Sequence, residues 1–505
     1  MSTLNLYLGI DQGSSSTKGV LLDEQGVVHH ELYAAVPERV EDGRKVEQDP
    51  EGLLDSVVDV FRRAKAWAAS QAAVSQAAVS QAVVVAGVGL AVQRSGVLAW
   101  NSTDGRIRHR MMTWADTRTL PIIQNFGRGV ERLSLKTGLP TIANFAAGKI
   151  HQLQRQFLEP TILVGTLDTF LLHRLSGKKV FMTEDSMAAR TMLYALAERG
   201  WSAELCREFG VDLGRLAPIS ASLSHHTDYD GTPILALLGD QQAALIGRMG
   251  PSRRGLLNLG TIASLVKDTG AEPVQKTGLM TSVLLSRELP EGGGRDLRFI
   301  VEATSPVTGT VLLEPLRRAW CKSSEELNAM CESSFLAAPE GRAIGYFVNH
   351  RAASATQTES LPNVLVCREG ATEADRARAV VENVGNIIVR MIEEFMDKKL
   401  LGETSPPEVD VAGGGSEIDY LLQYIADVSG VTLHRRGARE AGARGAALCA
   451  MMQAKTVSDP VSFNGEPDEK AYRCERFERR KRYQMWLRLE QDTMRGTLPP
   501  QAEKS

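Results

Sequence analysis

The sequence predicts an α/β protein built as two similar domains, and three observations predict it. An apolar strand, Leu6 to Ile10, meets an acid, a glycine turn, a block of hydroxyls and a cation (Asp11-Gln12-Gly13-Ser14-Ser15-Ser16-Thr17-Lys18), then a second apolar strand. The same order of strand, Gly-hydroxyl turn and strand returns at Leu256-Leu257-Asn258-Leu259-Gly260-Thr261-Ile262-Ala263-Ser264-Leu265-Val266. The 505-residue length exceeds what one hydrophobic core usually serves. A hairpin opening each half implies a duplicated fold.

The first half alternates strand and helix. Val27 to Leu32 continues the opening hairpin as a third antiparallel strand, and Glu51 to Ala69 has helical periodicity in Leu53, Leu54, Val57, Val58 and Phe61. Gln71 to Val85 repeats Gln-Ala-Ala-Val-Ser twice in tandem and reads as a helix extension or loop without assigned function. Val83 to Leu90 reads as a buried strand, Tyr194 to Phe209 and Arg376 to Lys399 as helices. The breaker-rich stretch Arg248 to Gly255 marks the domain boundary. A third glycine turn, Gly413-Gly414-Gly415-Ser416, follows the strand Val409 to Ala412 and opens a helix from Glu417 to Val428.

Composition is that of an ordinary globular chain, 43% hydrophobic and 24% charged. A net charge of -3 leaves no footprint for nucleic acid or an anionic membrane. The longest apolar run, Ala82 to Val92, is too short to span a bilayer, and the first strand starts too early to leave room for a signal peptide. Six scattered cysteines without a C-x-x-C pair suggest reduced thiols in a cytoplasm, with no zinc site or disulfide framework.

The opening hairpin suits a phosphate, because its turn N–H groups and hydroxyls converge on one spot. Asp11 does not suit direct contact with phosphate, since two anions repel. It suits a Mg²⁺ that bridges to phosphates, with Lys18 as a positive point charge. Taken alone, the string also fits an ordinary Ser-rich hairpin. Asp240 follows apolar Leu235 to Leu238 and Gly239, so a strand end holds its carboxylate rigidly, as a general base requires. Taken alone, it also fits a helix N-cap.

In order along the chain, several strings resemble the FGGY carbohydrate kinases, and in the first half glycerol kinase. They are Gly9 to Lys18, Glu47-Gln48-Asp49-Pro50, Gln93-Arg94-Ser95 with Trp100, Trp114-Ala115-Asp116-Thr117-Arg118 and Thr166-Leu167-Asp168-Thr169. Thr183 to Thr191 follows, then Gly239-Asp240-Gln241-Gln242-Ala243-Ala244-Leu245, Leu259-Gly260-Thr261 and Gly413-Gly414. The resemblance implies two ribonuclease-H-like domains of the actin/hexokinase ATPase type around a nucleotide cleft that closes to exclude water. It places an acceptor domain at residues 1–249, a nucleotide domain at 250–460 and a helical extension at 461–505.

The implied activity is transfer of the ATP γ-phosphoryl group to a hydroxyl of a small sugar or polyol. Asp240 would be the catalytic base and would help Asp11 hold Mg²⁺. Arg94, Ser95, Asn144, Asp240 and Gln241 would line the acceptor site. Gly13, Ser14, Ser15, Ser16, Lys18, Gly260, Thr261, Gly309, Gly413 and Gly414 would hold ATP. A cytoplasmic protein is implied, and a homodimer is compatible with the resemblance. Asp116 and Arg118 fit cleft residues or a buried ion pair. Glu47 and Asp49 read as structural, His225 and His226 as surface residues in a polar loop, and Arg473 to Arg482 as a solvated helix face.

The match departs in two regions. Ser95 stands where glycerol kinases carry Glu, and Asn144 where they carry Tyr, which removes glycerol contacts and favours a larger polyol or ketose. In the second half Ile262 and Ala303 replace family glycines, Ile418 stands where an Asn often meets adenine, and Gly345 to Ala353 replaces a Pro- and Trp-containing loop. Two other readings stay open: a degenerate kinase-fold protein that binds sugar or nucleotide and regulates a partner, and an actin- or heat-shock-chaperone-like ATPase.

Overall fold

A computed structural model describes residues 2–75, 81–125, 129–248, 255–260, 263–276, 278–290, 293–305, 323–346, 364–397, 400, 407–436, 440–458, 468–495, 497 and 502–504. The chain forms two units. The first comprises Met1–Arg253, Asp268–Val301 and Glu440–Gly465, and the second comprises Arg254–Lys267, Glu302–Arg439 and Glu466–Ser505. The expected boundary at residues 249 and 250 lies outside the described residues, as do Thr261, Ile262, Gly309 and most of Gly345 to Ala353.

In the first unit, Ser2–Gln12 pairs antiparallel with Ser16–Asp23, which pairs antiparallel with Val28–Ala35. On its other side Ser2–Gln12 runs parallel to Gln81–Val92, which runs parallel to Thr232–Gly239. The register sets Gln12 opposite Val92 and Val92 opposite Gly239. Three parallel strands therefore end together, and Asp11, Arg94 and Asp240 sit at that shared carboxyl edge. Open α/β sheets bind their ligands at such an edge.

Alternation gives the sheet its two covers. Leu6, Leu8 and Ile10 face the helix Pro50–Ser75 and pack in one core with its Leu53, Val57, Val60 and Phe61. Gly9 and Gly89 face the helix Ala441–Gln453. A Cβ at Gly9 would stand 1.8 Å from the Ala443 carbonyl oxygen, and one at Gly89 the same distance from that of Ala446. Only glycine lets the helix backbone come this close to the sheet.

The helix Asp240–Arg248 docks on the same helix through Gly247 and Gly445. A smaller five-stranded sheet, ordered Val40–Asp42, Lys45–Gln48, Ile107–Met112, Val97–Asn101 and Ile162–Thr166, carries a second core with the helix Ala146–Gln156.

In the second unit, Gly255–Leu259 pairs antiparallel with Ala263 to Val266, as the sequence expects. It runs parallel to Glu408–Ala412, which runs parallel to Thr432–Arg436. The helices Glu373–Asp397 and Asp419–Ser429 match the expected pair within a few residues, the second preceded by a 3-10 turn Gly414–Glu417.

Three expectations are corrected. Tyr194 to Phe209 is not one helix: Arg199 takes φ +51°, the chain reverses, Tyr194–Ala195 pairs with Gly200–Trp201, and the helix begins at Ala203. His226 is no surface residue. It lies buried in the strand Leu223–Tyr229, within 3.2 Å of the Ser222 carbonyl, and burial pushes its pKa down to about 4; its neighbour His225 is exposed.

Arg473 to Arg482 is not a uniformly solvated face. Arg482 is buried with its Nε 2.5 Å from Glu382 Oε2, while Arg378 Nε reaches Glu382 Oε1 at 2.7 Å. The Arg479 guanidinium lies 4.2 Å from the Phe335 ring centre and 4.7 Å from that of Tyr420. Alternating charge marks this segment equally well as solvated or as an ion-pair partner, and here the second holds.

Among the described residues no helix is long and apolar enough to cross a membrane. The cysteines described (Cys206, Cys331, Cys367, Cys449 and Cys474) are free thiols.

Candidate active site

The carboxyl edge of the first unit gathers most of the predicted chemistry. Asp11 closes its strand opposite Lys18 across the hairpin. Its Oδ1 is buried with no hydrogen-bond partner. Burial, the Asp240 charge and, more weakly, Glu440 push Asp11 up to about 7, against the pull of Lys18. The two carboxylates are near enough for the charge of Asp240 to be felt at Asp11. Among the described residues no group of three or more His, Cys, Asp or Glu side chains forms a metal cage. Two carboxylates are nevertheless the usual protein share for Mg²⁺, which keeps its other positions for water and phosphate.

Asp240 begins the helix Asp240–Arg248 directly after its strand. Its Oδ1 accepts from the Gln241 N–H at 2.8 Å and lies 3.0 Å from Arg94 Nε. A Cβ on Gly239 would come within 3.0 Å of the Arg94 side chain, so this glycine gives Arg94 its path to Asp240. The Gly239 N–H donates to Ser186 Oγ at 2.9 Å, and that hydroxyl is bonded in turn to Glu184. Glu184 also accepts from Ser222 Oγ and the N–H groups of Ser186 and Met187, yet burial still raises it to about 8.

The hairpin turn is closed by Gly13 N–H donating to the Ser16 carbonyl at 3.0 Å. Ser15 is exposed, and Ser14 and Ser16 are half-buried. Buried Gln48 donates to the Ser14 carbonyl at 3.2 Å and fixes the turn from below. Lys18 is ion-paired with Glu440 at 2.7 Å.

Ser95 adopts φ +63°, a left-handed conformation that costs an L residue about 1 kcal/mol. Its hydroxyl donates to the Arg190 carbonyl at 3.4 Å. Asn144 donates to the Trp114 carbonyl at 3.2 Å. Buried Asp116 pairs with half-buried Arg118, which also reaches Glu47 at 2.6 Å, so the three side chains form one ion-pair network.

In the second unit, Gly413 takes φ +86°, and a Cβ there would lie 2.7 Å from the Leu259 carbonyl group. The Gly413 turn therefore packs against the segment leading into Gly260. A Cβ on Gly414 would meet nothing within 4 Å, which leaves open space beside the turn. Ile418 is buried. Asp11, Lys18, Arg94, Asp240 and Gln241 thus come together in one unit, and Gly260, Gly413 and Gly414 in the other.

The sequence reading missed Glu440 and Lys149, and it placed Glu184 and Ser186 in a matching string without giving either a role. A visible signal existed for the first, since Ala441-Gly442-Ala443-Arg444-Gly445-Ala446-Ala447 is a helix of small residues built for close approach. A Cβ on Gly442 would stand 2.2 Å from Asp11 Oδ2.

Residues 6–247 match the N-terminal domain of the FGGY family of carbohydrate kinases. That stretch is an FGGY carbohydrate-kinase N-terminal domain. Across its length the kinase resembles curated glycerol kinases. It is 28% identical over 476 residues to that of Nostoc sp., covering 89% of this chain and 90% of the relative. It is 26% identical over 484 residues to that of Cereibacter sphaeroides, covering 91% and 93%.

Among solved structures, Plasmodium falciparum glycerol kinase with ADP aligns at TM-score 0.81 and 18% identity over 98% of this chain and 99% of its own. The xylulose kinase of Lactobacillus acidophilus aligns at 0.76 and 17% over 97% and 99%. The kinase shares their fold of two actin/hexokinase-like ATPase domains.

Proposed function

We propose that this kinase transfers the γ-phosphoryl group of Mg·ATP to a hydroxyl of a small polyol or ketose, in the manner of glycerol kinase. The observation that carries the reading is the meeting of Asp11 and Asp240 at one strand edge, with Asp11 Oδ1 buried and without a partner and the carboxyl pushed up to about 7. A structural carboxylate would have its donors built in; this one is held ready for a ligand.

Asp240 accepts the proton of the acceptor hydroxyl. That oxygen forms the new bond to the γ-phosphorus, the bond from phosphorus to the β,γ-bridging oxygen breaks, and the electron pair leaves with ADP. The transition state for such transfer is loose, so the protein mainly positions groups and neutralises charge. Arg94 and the Gln241 N–H fix the Asp240 carboxylate in place, and the Gln241 side chain bonds acceptor hydroxyls. Asp11, with Asp240, would hold Mg²⁺, which supplies charge neutralisation to the phosphates.

The hydroxyls of Ser14, Ser15 and Ser16 and the Gly13 turn cradle phosphate oxygens, with Lys18 as a neighbouring cation. Gly260, Thr261, Gly309, Gly413 and Gly414 receive the rest of the nucleotide. Two domains, residues 1–249 and 250–460, divide these tasks, with 461–505 as an extension. A cytoplasmic setting is expected, and a homodimer is compatible with this reading.

An ADP-release assay across glycerol, erythritol, ribitol, xylulose and ribulose tests the reading. ADP release that rises with at least one acceptor supports it. ADP release at the same rate without any acceptor contradicts it and favours an ATPase.

A further inference from the structure

We propose that Lys149 is a positioning residue for the acceptor pocket, its buried ammonium tying together the backbone at Ser95, Thr113 and Asn144. The inference rests on the acceptor reading above, in which Ser95 and Asn144 line that pocket. Lys149 Nζ donates to the Ser95 carbonyl at 3.1 Å, to the Thr113 carbonyl at 2.7 Å and to the Asn144 carbonyl at 2.7 Å. These belong to three segments far apart in sequence.

Ser95 follows directly on Arg94. Thr113 leads into Trp114, whose carbonyl receives the Asn144 side chain. Asn144 precedes the helix Ala146–Gln156, and that helix carries Lys149 itself.

The arrangement is costly unless position is what it secures. Lys149 is fully buried, and all three of its donors go to neutral carbonyls. A methionine would fill the same volume without burying a charge. What methionine lacks is a three-way donor, and Ser95 needs one. Its left-handed backbone at φ +63° is braced by Lys149 on its carbonyl and by the Arg190 carbonyl on its hydroxyl.

Burial takes Lys149 down to about 7, with the Asp116 charge opposing and Arg118 reinforcing. Above that pH the neutral amine keeps two N–H donors for three carbonyls, so one strut of the clamp is lost.

The test is a split of Michaelis constants in Lys149→Met, using whichever of glycerol, erythritol, ribitol, xylulose and ribulose the wild type phosphorylates best. The acceptor KM is expected to rise at least about tenfold while the KM for ATP stays within about twofold. A residue that only fills the core would lower thermal stability and leave the ratio of the two constants unchanged, and that result overturns the proposal.

A second measurement needs no variant. In the wild type the acceptor KM should climb between about pH 6 and 8 while the ATP KM does not climb with it. An acceptor KM that is flat across that range also overturns the proposal, and it decides alone if Lys149→Met does not fold. Failure of the acceptor reading itself looks different, because ADP release would then not depend on any acceptor.

Discussion

Arg94 Nε stands 3.0 Å from Asp240 Oδ1, tying the end of one parallel strand to the end of its neighbour. The pair does two things at once. It holds the Asp240 carboxylate, and it brings beside that carboxylate the residue whose successor, Ser95, accepts from Lys149. The Asp240 carboxylate and the Ser95 turn are therefore joined through Arg94.

Metal and nucleotide affinity should depend on pH through Asp11. Protons compete with a cation for this carboxylate, so Mg·ATP binding should weaken as pH falls below about 7, approaching tenfold per unit. Asp11→Ala should abolish the magnesium-dependent part of that binding. Isothermal calorimetry checks both, and unchanged affinity of Asp11→Ala for Mg·ATP would show that the hairpin serves another purpose.

The same carboxylate makes a stability prediction of definite sign. Its folded pKa, about 7, lies above its ordinary value of 3.8, so between those values the folded state binds a proton that the unfolded state has lost. Without ligand, Asp11 should make the protein less stable as pH rises through that window. Asp11→Asn should reduce the slope, as read by denaturant titration at several pH values.

Glycerol should be a poorer acceptor than some longer polyol or ketose. Ser95 and Asn144 replace two residue types expected to contact glycerol, and the Ser95 hydroxyl and Asn144 amide are both turned to backbone carbonyls. Each charged hydrogen bond lost costs about 1.5–3 kcal/mol. Comparison of kcat/KM across the acceptor series checks this, and the highest value for glycerol would refute it.

The close helix contact behind the site should tolerate no side chain. A Cβ on Gly9 would stand 1.8 Å from the Ala443 carbonyl oxygen. Gly9→Ala should therefore cost at least the roughly 1–3 kcal/mol typical of overpacking, read as a lowered thermal midpoint. A neutral substitution would mean that the helix Ala441–Gln453 does not press on the sheet there.

Glu382 binds two buried arginines, Arg378 four residues before it and Arg482 a hundred residues after it. Glu382→Ala leaves both charges buried and uncompensated, so it should destabilise by about 3–5 kcal/mol. Denaturant unfolding measures the loss; a change below about 1 kcal/mol would mean that solvent reaches both guanidinium groups.

Strand ends and turns were legible in the sequence because their signals are local. The Asp11 hairpin and the Leu235 to Asp240 strand end each declare themselves within a dozen residues, and parallel pairing does the rest. What escaped depends on distant partners. Nothing near Lys18 announces Glu440, and nothing near Lys149 announces three carbonyls from three segments.

His226 and Arg479 look solvated by composition and are buried by packing. The Tyr194 to Phe209 stretch has helical content throughout, and only the backbone reversal at Arg199 breaks it. The acceptor itself stays illegible for the same reason, since pocket shape is set by segments that no local string encodes.

Whether Asp240 takes the acceptor proton is decided by the turnover of Asp240→Asn. The asparagine keeps the size of the side chain and loses the proton acceptor. Folding and ATP binding should persist, while acceptor-dependent ADP release should fall by at least about a hundredfold. Turnover near the wild-type rate, in a variant shown to be folded, would contradict the account.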